Sequence, residues 1–373
     1  MRLLQAGTAL RLRAATRPRA VVLLDDRGEL RAGDLLGQVH LRSRRGAAPV
    51  RLADLPPQAP LREVLLTVLA GDGTLEPRSS GSTGTPRTQR RGPVTPAQLA
   101  QLLDLSRRIG MRPGRVVASL APGVHGHGLL MALGALALRC PLVDLTHLPP
   151  RHRIELLQRT GPHVLTGLPV HLYDLLEAEE TWGGNRALRI PRVVSGSDVL
   201  TPTLRADLAR RFRARVHDVY GTTETGSLTV DGRPLAGVRI RAVDGLLRAR
   251  TPFTAGRELV TDRGTVDARG RVRVLGRADG SIASGGMIHH PAEVVRLLRA
   301  QRGVDTVRLR VVEDARLGAR TVAEVTLDPS LSPENAAALQ ADDLSPAALR
   351  ALVRDRLGAA AVPREVRFSS PGR

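Results

Sequence analysis

Residues 115–145 read "RVVASLAPGVHGHGLLMALGALALRCPLVDL". Two short apolar runs, RVVASLA and CPLVDL, flank a longer stretch of Leu, Ala and Met. Short apolar runs bounded by Gly and Pro read as buried strands, and the longer stretch between them reads as a helix. A strand, a helix and a second strand in this order form the unit that decides the fold.

The alternation continues in both directions. Downstream, "RHRIELLQRTGP" reads as helix, "HVLTGLP" as strand, "HLYDLLEAE" as helix and "RIPRVVSGS" as strand. "TPTLRADLARRF" is again helix and "RVHDVYGT" strand. Upstream, "TPAQLAQLLDLSRRIG" has a Thr-Pro start, Leu at intervals of three and four, and a stop at Gly110. "RAVVLLDDRGELRAGDLLGQV" reads as strand, turn, strand and helix, and "LREVLLTVLA" as a short helix. Such alternation predicts a mostly parallel sheet with helices on its faces. Ligands in such sheets bind beyond the carboxyl ends of the strands.

From about residue 230 the pattern changes. "VRIRAVDGLLRAR" and "GTVDARGRVRVLGR" read as hairpins with Asp-Gly and Arg-Gly turns. A helix is expected from Pro291, strands at "TVRLRVVED" and "RTVAEVTLD", and a helix at "PAALRALVRDRLG". At 373 residues two domains are expected: a large core over 1–276 and a small α+β domain over 277–373.

The formal charge of +20 would ordinarily suggest nucleic acid or an anionic surface. Here all 56 basic residues are Arg and none is Lys, and they are interleaved with acids along the whole chain. That distribution reads as coding bias. Aromatic residues, the stacking platforms for single strands, make up only 2%. Neither a nucleic-acid partner nor a membrane span is expected. The lone Cys140 lies in an apolar run and reads as a core thiol, which fits a reducing compartment. "MRLLQAGTALRLRAATRPRA" is Arg-rich and acid-poor like a transit peptide, but its apolar stretch is broken. It reads more simply as an amphipathic helix, and the location as cytoplasmic.

Four stretches carry chemistry. "SSGSTGTPR" (79–87) packs small and hydroxylated residues before a cation: a flexible loop, or a cradle of N–H and hydroxyl donors for phosphate. Its spacing excludes a Walker loop. "YGTTETG" (220–226) offers an aromatic ring, hydroxyls and one carboxylate, or is a capped turn leading into a helix. "GRELVTDRGTVDARGRVRVLGRADG" (256–280) carries Asp262 and Arg277, functional groups or solvated hairpin residues. "SGGMIHHPAEVV" (284–295) reads as a loop and a helix start.

Taken in order, these stretches resemble the adenylate-forming superfamily of acyl-CoA synthetases, peptide-synthetase adenylation domains and luciferases. The first resembles its [ST]-S-G-[ST]-T-G-x-P-K-G phosphate loop and the second its Y-G-x-T-E signature. The last two resemble its T-G-D, D-x-x-G, G-R-x-D-D and P-x-E-V segment. The resemblance runs from about residue 20 to the end. It implies a large α/β domain and a small C-terminal lid, and ATP-dependent joining of a carboxylic acid, fatty or aryl, to AMP. Transfer to coenzyme A, or to a separate carrier protein, would follow.

The resemblance also assigns roles. Ser79, Ser80, Gly81, Ser82, Thr83, Gly84, Thr85 and Arg87 would hold the β- and γ-phosphates. Tyr220 would lie on the adenine, with Gly196 and Ser197 opposite and Gly221 and Thr222 beside it. Thr223 would contact the α-phosphate, Glu224 would hold Mg²⁺, and Asp262 would accept the ribose hydroxyls near Arg277. Asp279 matches the hinge of the lid and His125 the acyl pocket, which Gly128, Ser195 and Gly221 would also line.

The sequence departs from the pattern in several places, among them Thr88 and Thr261 where the pattern has glycine. Arg87 replaces the phosphate-loop lysine and keeps the charge with a different geometry. The lobe before residue 79 is short. The family's catalytic lysine belongs after "VRFSSPGR", and no Lys is present. Slow adenylation with an intact thioester step is therefore expected, or a degenerate member that binds nucleotide or acyl group without turnover.

Overall fold

The computed structural model describes residues 6–44, 51–71, 92–184 and 187–369. These divide into two compact units, one extending to Leu275 and the other starting at Gly276.

The first unit is built on the strand–helix–strand segment read above. β3 (Val117–Ser119) leads through α5 (Gly126–Ala137) to β4 (Leu142–Asp144), and every residue of both strands is buried. Before them come α1 (Ala6–Thr16), β1 (Val21–Asp25), β2 (Gly28–Arg31), α2 (Ala32–Arg44), α3 (Leu61–Ala70) and α4 (Pro96–Ile109). After them the alternation continues through α6 (Pro150–Thr160), β5 (Val164–Gly167), α7 (Pro169–Trp182), β6 (Arg192–Gly196), α8 (Pro202–Arg211) and β7 (Arg215–Thr222). β8 (Gly226–Val230) and β9 (Arg233–Pro234) complete a nine-stranded sheet of order β2-β1-β4-β3-β5-β6-β7-β8-β9. Its six central strands are parallel and its margins antiparallel.

The two-residue period of each strand supplies both faces. Val117, Val164, Val194 and Val219 enter one core, and Ala118, Leu165, Val193 and Val216 the other. α4 begins and ends as its sequence dictates. Thr95 caps it by accepting from the Gln98 N–H, and Gly110 closes it at φ 85°. α1 is a helix, but its buried side includes Arg13 beside Leu10 and Ala14, so its faces do not separate by polarity as an amphipathic helix would. Arg13 spends its guanidinium on the Val21 carbonyl at 2.6 Å.

A four-stranded antiparallel sheet follows: β10 (Arg239–Val243), β11 (Leu246–Arg250), β12 (Glu258–Val266) and β13 (Val272–Arg277). The Asp244-Gly245 turn sits at φ 53° and 74°, the two positive values a tight hairpin turn requires.

The second unit contains the hairpin β14 (Ile282–Ser284) and β15 (Met287–His289), then α9 (Pro291–Arg299), β16 (Val304–Asp314) and β17 (Gly318–Leu327). α10 (Pro333–Ala341), α11 (Pro346–Leu357) and β18 (Glu365–Ser369) close it. Residues 284–290, expected as loop, are a hairpin because Gly285 and Gly286 turn the chain at φ 60° and 82°. β18 pairs parallel to β17, burying Val366 with Val294, Leu298 and Val353. Among the described residues no helix is long and apolar enough to cross a membrane.

Candidate active site

The carboxyl ends of β5, β6 and β7 lie side by side, because the strands pair in parallel with Gly167 opposite Ser195 and Gly196 opposite Val219. The end of β7 carries Tyr220 to Thr222, and the chain then turns straight back into β8. The stretch, for which a capped turn leading into a helix was one of two readings, is therefore the turn of an antiparallel hairpin. Thr222 and Thr225 hold it: each backbone N–H donates to the other's hydroxyl at 3.2 Å. The Thr225 carbonyl accepts from the Thr251 hydroxyl at 3.1 Å. This brace presents Thr223, half-buried, and Glu224, exposed, at the tip. Gly221 has no alternative, since a Cβ there would stand 2.3 Å from the Gly226 carbonyl oxygen.

Tyr220 is joined to a residue 42 positions away. Its hydroxyl directs its single proton between Asp262 Oδ2 at 2.8 Å and Thr261 Oγ1 at 2.9 Å. A shift of register makes this possible. β12 pairs Val260 with Arg248 but Arg263 with Leu246, so Thr261 and Asp262 together oppose Leu247. Such a bulge re-aims a side chain. Asp262 is 4% exposed, whereas Val260 just before it is 48% exposed.

β6 ends in Gly196, fully packed, followed by Ser197 in the left-handed region at φ 70°. A non-glycine residue held there carries strain that collects at ligand sites. Ser195 and Gly128 are both buried. Ser195 is fully buried, and a Cβ at Gly128 would lie 2.2 Å from the Pro122 carbonyl oxygen, so that glycine lets α5 pack on its own approach loop. Burial pushes the Asp218 carboxyl, beside Ser195 in register, up to about 6.

His125 stands half-buried at the N-cap position of α5. A second ring, that of His127, which the sequence reading passed over, reaches the strand ends. His127 Nε2 lies 2.7 Å from Thr166 Oγ1. A Cβ at Gly196 would meet His127 Nδ1 at 2.8 Å. Burial, and then the neighbouring His171, lower its pKa to about 4, so the imidazole is neutral. The one signal for it was a second histidine two residues after the first, in "HGHG".

In the second unit Asp279 accepts from the Ser281 N–H at 3.0 Å and from its hydroxyl at 2.6 Å, while Arg277 Nη2 lies 3.6 Å from Asp279 Oδ2. Burial alone would raise the Asp279 pKa, but these donors outweigh it and hold the carboxyl below its ordinary range. Ser79, Ser80, Gly81, Ser82, Thr83, Gly84, Thr85 and Arg87 lie outside the described residues.

Residues 78–259 match the family described as AMP-binding enzyme. The chain is 30% identical over 298 residues to a 4-chlorobenzoate–CoA ligase of Pseudomonas sp. (strain CBS-3), covering 68% of this chain and 56% of that protein. It is 28% identical to a 4-coumarate–CoA ligase of Rhodobacter capsulatus, covering 78% of this chain and 70% of that one. Thus it spans little more than half the length of the first of these ligases. The amide bond synthetase McbA of Marinactinospora thermotolerans shares its fold, with a TM-score of 0.70 at 20% identity over 98% of this chain and 95% of that one. The ordered motifs, the sheet that carries them and these likenesses agree: the chain belongs to the adenylate-forming, AMP-binding enzyme family.

Proposed function

We propose that this protein activates a carboxylic acid with ATP and passes the acyl group to the thiol of coenzyme A. The observation that carries the reading is the meeting of Tyr220 and Asp262 beside the braced turn that bears Thr223 and Glu224. An aromatic ring to cover a base and a buried carboxylate to accept ribose hydroxyls stand together. An exposed carboxylate is held next to them by a rigid hairpin.

In the first step a carboxylate oxygen attacks the α-phosphorus, and the bond to pyrophosphate breaks. Glu224 suits Mg²⁺, which takes one or two carboxylates plus substrate phosphates and there offsets their negative charge. Thr223 would donate to the α-phosphate. Tyr220, Gly196 and Ser197 would bind the adenine, with Gly221 and Thr222 at its edge. Ser79 to Arg87 would hold the departing phosphates. In the second step the thiol sulfur attacks the acyl carbonyl, AMP leaves, and the thiol proton passes to solvent or base. Asp279 and Arg277 would serve the lid and ribose. The relatives named for 4-chlorobenzoate and 4-coumarate favour an aryl acid.

Pyrophosphate release with Mg-ATP and a panel of aryl and fatty acids, with and without coenzyme A, tests the reading. Release dependent on acid and abolished in Glu224→Ala supports it. A second arm supplies preformed acyl adenylates and follows thioester. Tight AMP binding with silence in both arms would overturn it and leave a binding module.

A further inference from the structure

We infer that Gln101 is a positioning residue: its buried amide clamps β8 to α4 and so fixes the turn that presents Glu224. This rests on the adenylation reading above, in which Glu224 suits Mg²⁺, and adds a residue that acts through that turn.

Gln101 is out of place for a core. The buried residues of α4 are Gln101, Leu105 and Ile109, spaced four apart on one face of the helix. Two are aliphatic, and the third is an amide only 1% exposed. Half of that amide is unused: Oε1 finds no hydrogen-bond donor among the described residues. An acceptor left unmade in the interior is costly, so an apolar side chain would serve packing better. The other half makes a short bond. Nε2 donates to the Ser227 carbonyl at 2.6 Å, across 126 positions of sequence. A carbonyl oxygen only accepts, so the amide nitrogen must be the atom that faces it.

The bond falls where the turn needs support. Ser227 pairs with Gly221 between β8 and β7, and Glu224 lies midway between the two in the chain. Thr222 and Thr225 brace the turn from within, whereas Gln101 holds it from outside. A second glutamine on α4 repeats the device. Gln98 accepts from the Thr95 N–H at 2.9 Å and donates to the Pro252 carbonyl at 3.3 Å. Next to Pro252, the Thr251 hydroxyl donates to the Thr225 carbonyl at 3.1 Å. The ring of Phe253 closes on Gly226, where a Cβ would stand 2.9 Å from Cδ2. Thus α4, the 251–254 segment and the hairpin form one hydrogen-bonded frame around the base of the turn. Groups behind a metal ligand orient it in this way.

The test compares two variants on one helix face. Gln101→Met keeps length and burial but removes the donor, whereas Leu105→Ala weakens the same face without touching the turn. Amide hydrogen exchange is read at Thr222 and Thr225, whose N–H groups close the turn. Gln101→Met should speed both at least tenfold, with the amides of β3 and β5 within twofold of wild type. Leu105→Ala should leave the ratio of turn to β3 exchange unchanged. Pyrophosphate release is then titrated with Mg²⁺. Gln101→Met should need at least tenfold more Mg²⁺ for half-maximal rate, with KM for the acid within twofold, and Leu105→Ala should not. Turn exchange in Gln101→Met that merely follows β3 and β5 overturns the inference, as does faster turn exchange with an unchanged Mg²⁺ requirement. If the wild type releases no pyrophosphate with any acid, the adenylation reading falls, and the exchange arm alone decides whether Gln101 fixes the turn.

Discussion

Replacing Tyr220 by Phe removes one oxygen from the centre of the candidate site. That oxygen lies 2.8 Å from Asp262 Oδ2, on a carboxylate only 4% exposed. The ring itself packs against the core that contains Val219 and Leu228, and Phe preserves that contact. Little cavity cost is therefore expected, and the loss is that of a hydrogen bond to a charged group, roughly 1.5–3 kcal/mol. Thr261 remains 2.9 Å from the same position in the parent but donates its own proton to the Leu247 carbonyl, so it does not replace the lost donor. About 2 kcal/mol is the expected destabilisation. Urea unfolding followed through Trp182, the single tryptophan, reads the first unit directly. The midpoint should fall with the slope unchanged. A double-mutant cycle with Asp262→Asn should return a coupling of about 1 kcal/mol or more. A Tyr220→Phe loss below about 0.5 kcal/mol, or a coupling near zero, would refute the reasoning that the hydroxyl holds the buried carboxylate.

Other consequences follow from single contacts. Gly221→Ala places a methyl 2.3 Å from the Gly226 oxygen and should destabilise the hairpin by roughly 2–3 kcal/mol, read by the same urea titration. His289 is 6% exposed, and neither ring nitrogen finds a hydrogen-bond partner among the described residues. His289→Leu should therefore stabilise the second unit by roughly 1–2 kcal/mol, measured by hydrogen exchange of β16 and β17. Burial, and then the charge of His290, hold the His289 pKa below its ordinary value. The unfolded chain thus protonates first as pH falls through about 6.5, so the second unit loses stability below that pH and His289→Leu should lose less. Burial raises the Cys140 thiol to about 11, so it should resist a thiol reagent at pH 8 until the chain is unfolded.

Local pattern was enough for the frame. The run at 115–145 becomes β3, α5 and β4 because buried strands and helices have distinct lengths and periods, and these are written in neighbouring residues. Capping is equally local: Thr95 and Gly110 mark the ends of α4 in sequence and in space. The motif order 79–87, 220–226, 256–280 and 284–295 was likewise sufficient to recognise the family.

Tertiary structure decided what those residues do to one another. The meeting of Tyr220 with Asp262 depends on one extra residue in β12 relative to β11, a register shift that alternation of side chains does not reveal. The parallel pairing of β18 with β17 depends on partners distant in the chain. His127 is the clearest case. In sequence it is the lesser of two histidines in a glycine-rich loop. Its significance comes from Thr166 and Gly196, which parallel pairing of β3, β5 and β6 brings to the same edge. Periodicity reports which face a residue takes, while the identity of its neighbour across a sheet is set only when the strands pair.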